Sequence, residues 1–189
     1  DADADTLLRH ADQAMYGAKQ AGRNRFHQFD AQQERALLLH REQGRHLRAA
    51  LANAQFVLYL QPKVDMRSGA VVGAEALARW QHPERGVVPP GDFLHLLEGT
   101  ELEICFGEWV IEAALVLLEQ LEHHDMPLPV SINISAQHLQ HAGFVDWVAQ
   151  CMARHPGVPT HWVEIEITES AALYDLAAAS AALGALRVQ

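Results

Sequence analysis

Four residues, Met66-Arg67-Ser68-Gly69, separate two strand-forming runs, and this short connection limits the fold more than any other feature of the chain. The run before it, Phe56-Val57-Leu58-Tyr59-Leu60, leads into Gln61-Pro62-Lys63-Val64-Asp65. The run after it opens with Ala70-Val71-Val72 and continues through Gly73-Ala74-Glu75-Ala76-Leu77-Ala78-Arg79-Trp80. A parallel crossover needs a dozen or more residues, so these strands must form an antiparallel hairpin. Gln61 then falls about opposite Glu75, and a bulge at Pro62 would shift that register by one.

At period 2, residues 75, 77 and 79 point to one side of their strand. An acid, a leucine and a guanidinium therefore share one face. That set suits an oxyanion ligand held jointly by a metal and an arginine.

Beyond the hairpin, Trp80-Gln81-His82-Pro83 through Gly86 and Pro89-Pro90 reads as a loop. Helices are expected near 92–97 and from about 107 to 123, then a strand over 127–134 that ends in Asn133 and Ser135. A capped helix is centred on 144–154, strict alternation marks a strand over 162–167, and an Ala-rich helix spans 170–188. This succession is α/β with a parallel sheet.

In an α/β sheet or barrel, ligands bind outside the carboxyl ends of the strands. Glu75, Asn133 and Glu166 all fall at such ends. Their carboxylate and amide oxygens are hard donors, suited to Mg²⁺ or Mn²⁺ and poor for a thiophilic metal. Glu164 shares the strand face of Glu166, whereas Glu169 lies past the strand end, where it can brace a ligand or a loop. The bland reading of Glu164 is a solvated carboxylate.

Charge narrows the partners. Fourteen Lys and Arg against 24 Asp and Glu give a net charge of −10, which argues against direct DNA binding through a basic face. A phosphorylated small molecule still fits if metal ions supply local positive charge. Cys105 and Cys151 form no metal or redox spacing and suggest a reducing compartment.

Upstream, Asp3 or Asp5 can cap a helix over 6–20 that carries Leu7, Leu8, Ala11, Ala14, Met15 and Ala18 on one face, followed by a short strand over 26–29. Residues 31–54 read as a linker helix, softened at Gly44 by roughly 1 kcal/mol relative to Ala. Its arginines and histidines read as a solvated face. The chain has no initiator Met and opens inside a helical pattern, which leaves room for an upstream sensor or membrane segment.

Two resemblances follow from particular residues. Ala11-Asp12, Ala14-Met15-Tyr16, Ala18-Lys19 and Gly22-Arg23-Asn24 resemble the C-terminal end of a GGDEF (diguanylate cyclase-like) domain. Leu60-Gln61-Pro62-Lys63-Val64-Asp65, Glu75-Ala76-Leu77-Ala78-Arg79-Trp80, His82-Pro83, Gly86, Pro89, Phe93, Asn133-Ile134-Ser135 and Glu166-Ile167-Thr168-Glu169-Ser170 stand in the order seen in the EAL domain, the family of cyclic di-GMP phosphodiesterases.

The EAL resemblance implies a modified TIM barrel with an antiparallel first strand, preceded by the linker helix and the GGDEF remnant. It divides the chain at 1–30, 31–54 and 55–189. It implies metal binding by Glu75, Asn133 and Glu166, with two divalent ions (Mg²⁺ or Mn²⁺) in the complete site. Gln61, Leu77 and Arg79 would contact the cyclic dinucleotide, Arg79 at a phosphate. Glu75 and Glu169 would be catalytic, Glu169 by stabilising the loop after the next strand. The implied reaction opens cyclic di-GMP to linear pGpG, in a cytoplasmic signalling protein that pairs as a homodimer through this domain.

Where the family usually has Ala-Glu-Glu-Thr-Gly-Leu, this chain has Leu97-Glu98-Gly99-Thr100-Glu101-Leu102, so any disturbance belongs to the helix end there. A (β/α)₈ barrel takes roughly 250 residues, and 55–189 supplies about half of one. Alone it is expected to be neither active nor a well-folded monomer.

The competing readings are a receptor that binds the dinucleotide without hydrolysis, and an inert fragment. Among the histidines, His82 reads as structural beside Pro83, while His10, His27, His40, His46, His123, His124, His138 and His141 read as surface residues.

Overall fold

The computed structural model describes residues 3–20, 22, 30–167, 180 and 184–186. The chain divides into two compact units, Asp1–Gln43 and Gly44–Gln189. In the first, α1 (Ala4–Gln20) and the start of α2 (Ala31–Ala52) are helical, and Leu7, Leu8, Met15 and Tyr16 remain exposed. The strand expected over 26–29 and most of the helix expected over 170–188 lie outside the described residues.

In the second unit the end of α2 buries Leu47 and Ala50. β1 (Phe56–Val64) and β2 (Val71–His82) then form the hairpin, antiparallel and with Gln61 opposite Glu75. The irregularity falls between Lys63 and Val64, one residue beyond Pro62. Asp65 organises the turn: its Oδ1 accepts from the Arg67 and Ser68 amides and from the Ser68 hydroxyl. Gly69 at φ 72° supplies the left-handed position the turn needs.

A short β3 (Gly86–Val88) folds back on β2, and His82 Nδ1 accepts from the amides of Glu84 and Arg85 to hold that turn. The structural role read for His82 is the observed one. The segment expected as a helix over 92–97 is instead two 3₁₀ turns, Pro90–Asp92 and Leu94–Leu96, interrupted at Phe93 (φ −135°). The long helix α3 (Glu101–His123) starts six residues earlier than the periodicity suggested, with Thr100 at its N-cap. Glu101, the departure from the family pattern, opens this helix rather than disturbing it, and an acidic residue suits a helix N-terminus.

After α3 come β4 (Val130–Ile134), a one-turn α4 (Ala136–Leu139), α5 (Phe144–Arg154) and β5 (Val163–Ile167). Trp162, expected in the last strand, lies in a 3₁₀ turn. Sheet order is β1-β2-β4-β5, with β2, β4 and β5 mutually parallel.

The core sits between the sheet and α3. Ala74, Ala76, Ala78 and Trp80 alternate on the buried side of β2, and the last three share one core cluster with Phe106, Val110, Ala114 and Leu118 of α3. Phe56 lies 5.2–5.8 Å, centroid to centroid, from Trp80, Phe93, Phe106 and Trp109. Tilted and edge-on aromatic pairs of this kind add to the burial itself. They anchor one end of the hairpin and leave its opposite face to polar groups.

α3 and α5 are joined by a polar cluster. Glu112 accepts from the Cys151 thiol at 2.8 Å and from Arg154 at 2.5 Å, and lies 3.1 Å from His155 Nε2. His155 Nδ1 is 3.0 Å from Glu119. Burial, followed by the Glu112 carboxylate, pushes the Cys151 thiol up to about 12, so it serves as a packed donor rather than a nucleophile. No helix among the described residues is long and apolar enough to cross a membrane.

Candidate active site

Because the small residues of β2 turn inward, Glu75, Leu77 and Arg79 share its other face, each half-buried. Strand pairing extends that face across the sheet. Gln61 stands beside Glu75 on β1, Ser131 beside Glu75 on β4, Glu164 beside Ser131 on β5, and Glu166 beside Asn133. The three expected metal ligands thus meet on neighbouring strands.

Asn133 Nδ2 donates to Glu75 Oε1 at 2.7 Å, a contact between strand ends 58 residues apart. Glu166 is held by Lys63, whose Nζ lies 2.8 Å from Glu166 Oε1 and 3.2 Å from Glu164 Oε2. The Lys63 ammonium keeps Glu166 below its ordinary carboxylate range, and Glu166 in turn raises Lys63. Glu166 is thereby anionic at neutral pH. Lys63 was read only as part of a motif, and Glu164 as a solvated carboxylate. The signal that could have found the pair was the shared face of Gln61 and Lys63 at period 2, opposite a residue with no side chain, Gly73.

Arg79 Nη1 donates to the Ala78 carbonyl at 2.9 Å, and its guanidinium lies 5.5 Å from the Tyr59 ring centroid. Stacked and tethered, it has a restricted set of orientations on the site face. A cavity of about 1000 Å³ is lined by Ala76, Ala78, Phe106, Gly107 and Gln137 among others. It takes in Leu77 and Asn133 but not Gln61, Glu75, Arg79 or Glu166. The carboxylate face is a separate, solvent-accessible surface. Glu169 lies outside the described residues.

The donor set can be tested against a metal by its chemistry. Among the described residues, no group of three or more His, Cys, Asp or Glu is arranged to hold an ion. Two carboxylates and one amide nevertheless supply three hard oxygens, and one of those carboxylates already attracts a cation, Lys63. A hard divalent ion fits that set.

His138, read as a surface residue, is buried (2 % exposed), and this is a correction. Its amide donates to the Ser135 hydroxyl at the start of α4, and its ring packs edge-on against Phe144. Burial pushes its pKa down to about 4, so it is neutral. It fixes the turn that follows Asn133. His155 and its two glutamates were missed altogether, because only the approach of α5 to α3 assembles them.

A protein-family model described as EAL domain matches residues 45–189. The chain is 41% identical over 175 residues to the bifunctional diguanylate cyclase/cyclic di-GMP phosphodiesterase MucR of Pseudomonas aeruginosa, a match covering 89% of this chain and 25% of that protein. It is 39% identical over 137 residues to the cyclic di-GMP phosphodiesterase PdeR of Escherichia coli, covering 72% and 21%. Its fold is similar to that of the PaMucR phosphodiesterase in complex with c-di-GMP, with TM-score 0.71 and 38% identity over 78% of this chain and 60% of that one. The chain therefore spans about a quarter of the length of these curated relatives.

Proposed function

The chain belongs to the EAL domain family, and from that premise we propose that its domain is a metal-dependent phosphodiesterase that opens cyclic di-GMP to linear pGpG. The observation that carries this reading is the meeting of Glu75, Asn133 and Glu166, with Asn133 bonded to Glu75 and paired in register with Glu166. The names of the relatives MucR and PdeR point the same way.

Glu75, Asn133 and Glu166 would hold Mg²⁺ or Mn²⁺, two ions in the complete site, and a bound ion supplies a Lewis acid that acidifies water and neutralises phosphoryl charge. The rest falls to the chain's own residues. Arg79, tethered at one nitrogen, turns its other N–H donors to a phosphate oxygen, where its planar fork orients the anion. Gln61 and Leu77 flank Glu75 and Arg79 and contact the dinucleotide. Glu169 braces the loop after the next strand.

In the same reading, the antiparallel β1 and the parallel β2, β4 and β5 are the first half of a modified TIM barrel. Residues 1–30 are the end of a GGDEF domain and 31–54 a linker helix. In support, the match to MucR covers 89% of the chain, further than the EAL match at 45–189. The protein acts in the cytoplasm, and pairs through this domain as a homodimer.

Incubating the complete domain with cyclic di-GMP and separating the nucleotides tests the activity. Linear pGpG should appear with Mg²⁺ or Mn²⁺, poorly with Ca²⁺, whose looser coordination misplaces the reacting groups, and not with a chelator. Full turnover in chelator would refute the metal reading. Tight binding without turnover in any metal would make the domain a receptor.

A further inference from the structure

Lys63 lies on β1 and Glu166 on β5, with β2 and β4 between them. Three strand spacings amount to about 14 Å, so the contact requires both long side chains to lie along the sheet. The residues they cross are small. Gly73 is the register partner of Lys63, and a Cβ there would stand 3.7 Å from Lys63 Cδ and 3.9 Å from Lys63 Cβ. On β4 the crossing falls at Ser131, fully buried and paired with Glu164. The lysine stem thus passes over a gap left in the site face, and its ammonium ends between two carboxylates of β5.

Stability alone gives little reason for this arrangement. The three side chains are 38–52% exposed, and ion pairs that open to water contribute about 0–1 kcal/mol. Its position is more telling: the only groups that Lys63 Nζ contacts among the described residues are Glu164 and a carboxylate already assigned to the metal.

We propose that Lys63 is a built-in counter-cation of the metal site, occupying Glu166 when no metal is bound and passing to Glu164 when one arrives. The proposal rests on the metal reading above. Glu164 lies two residues from Glu166 on the same strand face and is already within 3.2 Å of the ammonium, so the transfer needs only rotation about the last bonds of the lysine. In the metal-free site the Lys63–Glu166 ion pair keeps that carboxylate from other cations. The cost is weaker metal binding, because an incoming ion must displace a charge of the same sign. Lys63 is a positioning residue here, acting through Glu166.

The test is Mn²⁺ binding to the complete domain, followed by the paramagnetic resonance signal of free Mn²⁺ alongside thermal unfolding of each variant. Lys63→Met keeps the stem and removes the charge, and should tighten Mn²⁺ binding roughly tenfold. Lys63→Arg should restore wild-type affinity within about twofold. Glu164→Gln, which removes the second resting place, should weaken binding. A merely structural lysine would shift affinity the other way, so unchanged or weaker binding in a folded Lys63→Met overturns the proposal. If Lys63→Met fails to fold, the Lys63→Arg and Glu164→Gln results decide it: unaltered affinity in Glu164→Gln overturns it. Absence of Mn²⁺ binding in both wild type and Lys63→Met would instead overturn the metal reading, and this inference with it.

Discussion

Gly107 of α3 is a place where a substitution that favours the helix should damage the protein. Replacing glycine by alanine inside a helix ordinarily stabilises it by about 1 kcal/mol. A Cβ at Gly107, however, would lie 2.8 Å from Cε1 and 3.1 Å from Cγ of His138, and closer still to Nδ1. The imidazole has nowhere to retreat: it is 2% exposed, with the Phe144 ring at 4.8 Å and Trp147 at 6.3 Å. Forcing extra volume into a packed site costs about 1–3 kcal/mol. With so rigid a neighbour the upper half of that range applies, leaving Gly107→Ala net destabilised by about 1–2 kcal/mol. In a His138→Ala background the new methyl enters vacated space, and the same substitution should stabilise by up to about 1 kcal/mol. The coupling between the two sites is then about 2–3 kcal/mol, measurable by urea unfolding of the four proteins in a double-mutant cycle. Stabilisation by Gly107→Ala in the wild-type background, or simple additivity, would refute the steric argument. Because His138 packs behind the turn that follows Asn133, Gly107→Ala should also weaken metal binding.

In the complete domain, Glu75→Ala should lower turnover by several orders of magnitude while Arg79→Ala chiefly raises KM; steady-state kinetics separate the two, and wild-type turnover by Glu75→Ala would sink its assignment. Burial holds His138 at about 4 against an ordinary 6.5, a depressed value, so its share of stability is present above pH 6.5 and lost as pH falls toward 4. The loss should reach about 3 kcal/mol in urea titrations at stepped pH, and His138→Leu should abolish it. His155 has the opposite sign. Burial would lower it, but Glu112 and Glu119 outweigh that and hold it above its ordinary value. Its stabilisation is present below pH 6.5 and lost as pH rises through the raised value, so His155→Gln should remove a step on the alkaline side of the stability profile, and an unchanged profile would refute the pairing.

What could be read from the chain was what depends on neighbouring residues. A four-residue connection between apolar runs dictates an antiparallel hairpin, and a two-residue period places Glu75, Leu77 and Arg79 together opposite the alanines. The connection alone would set Gln61 opposite Ala74; the irregularity between Lys63 and Val64 shifts the register by one and brings Gln61 opposite Glu75. Alternation likewise placed Asn133 and Glu166 near the carboxyl ends of their strands, where β4 and β5 carry them.

What escaped was decided at longer range. α3 opens at Glu101, before the expected start near 107, because a helix start depends on its cap and on the 3₁₀ turns before it. His138 and His155 are polar residues whose burial is set by which helix packs over them, and no local period records that. Lys63 meets Glu166 across 103 residues of sequence and two intervening strands. That pairing exists only once strand order and curvature bring β5 within reach of β1, and once Gly73 and Ser131 leave room between them. Alternation assigned each side chain to a face; the tertiary arrangement decided which charges on that face meet, since Coulomb attraction depends on distance in space and not on separation along the chain.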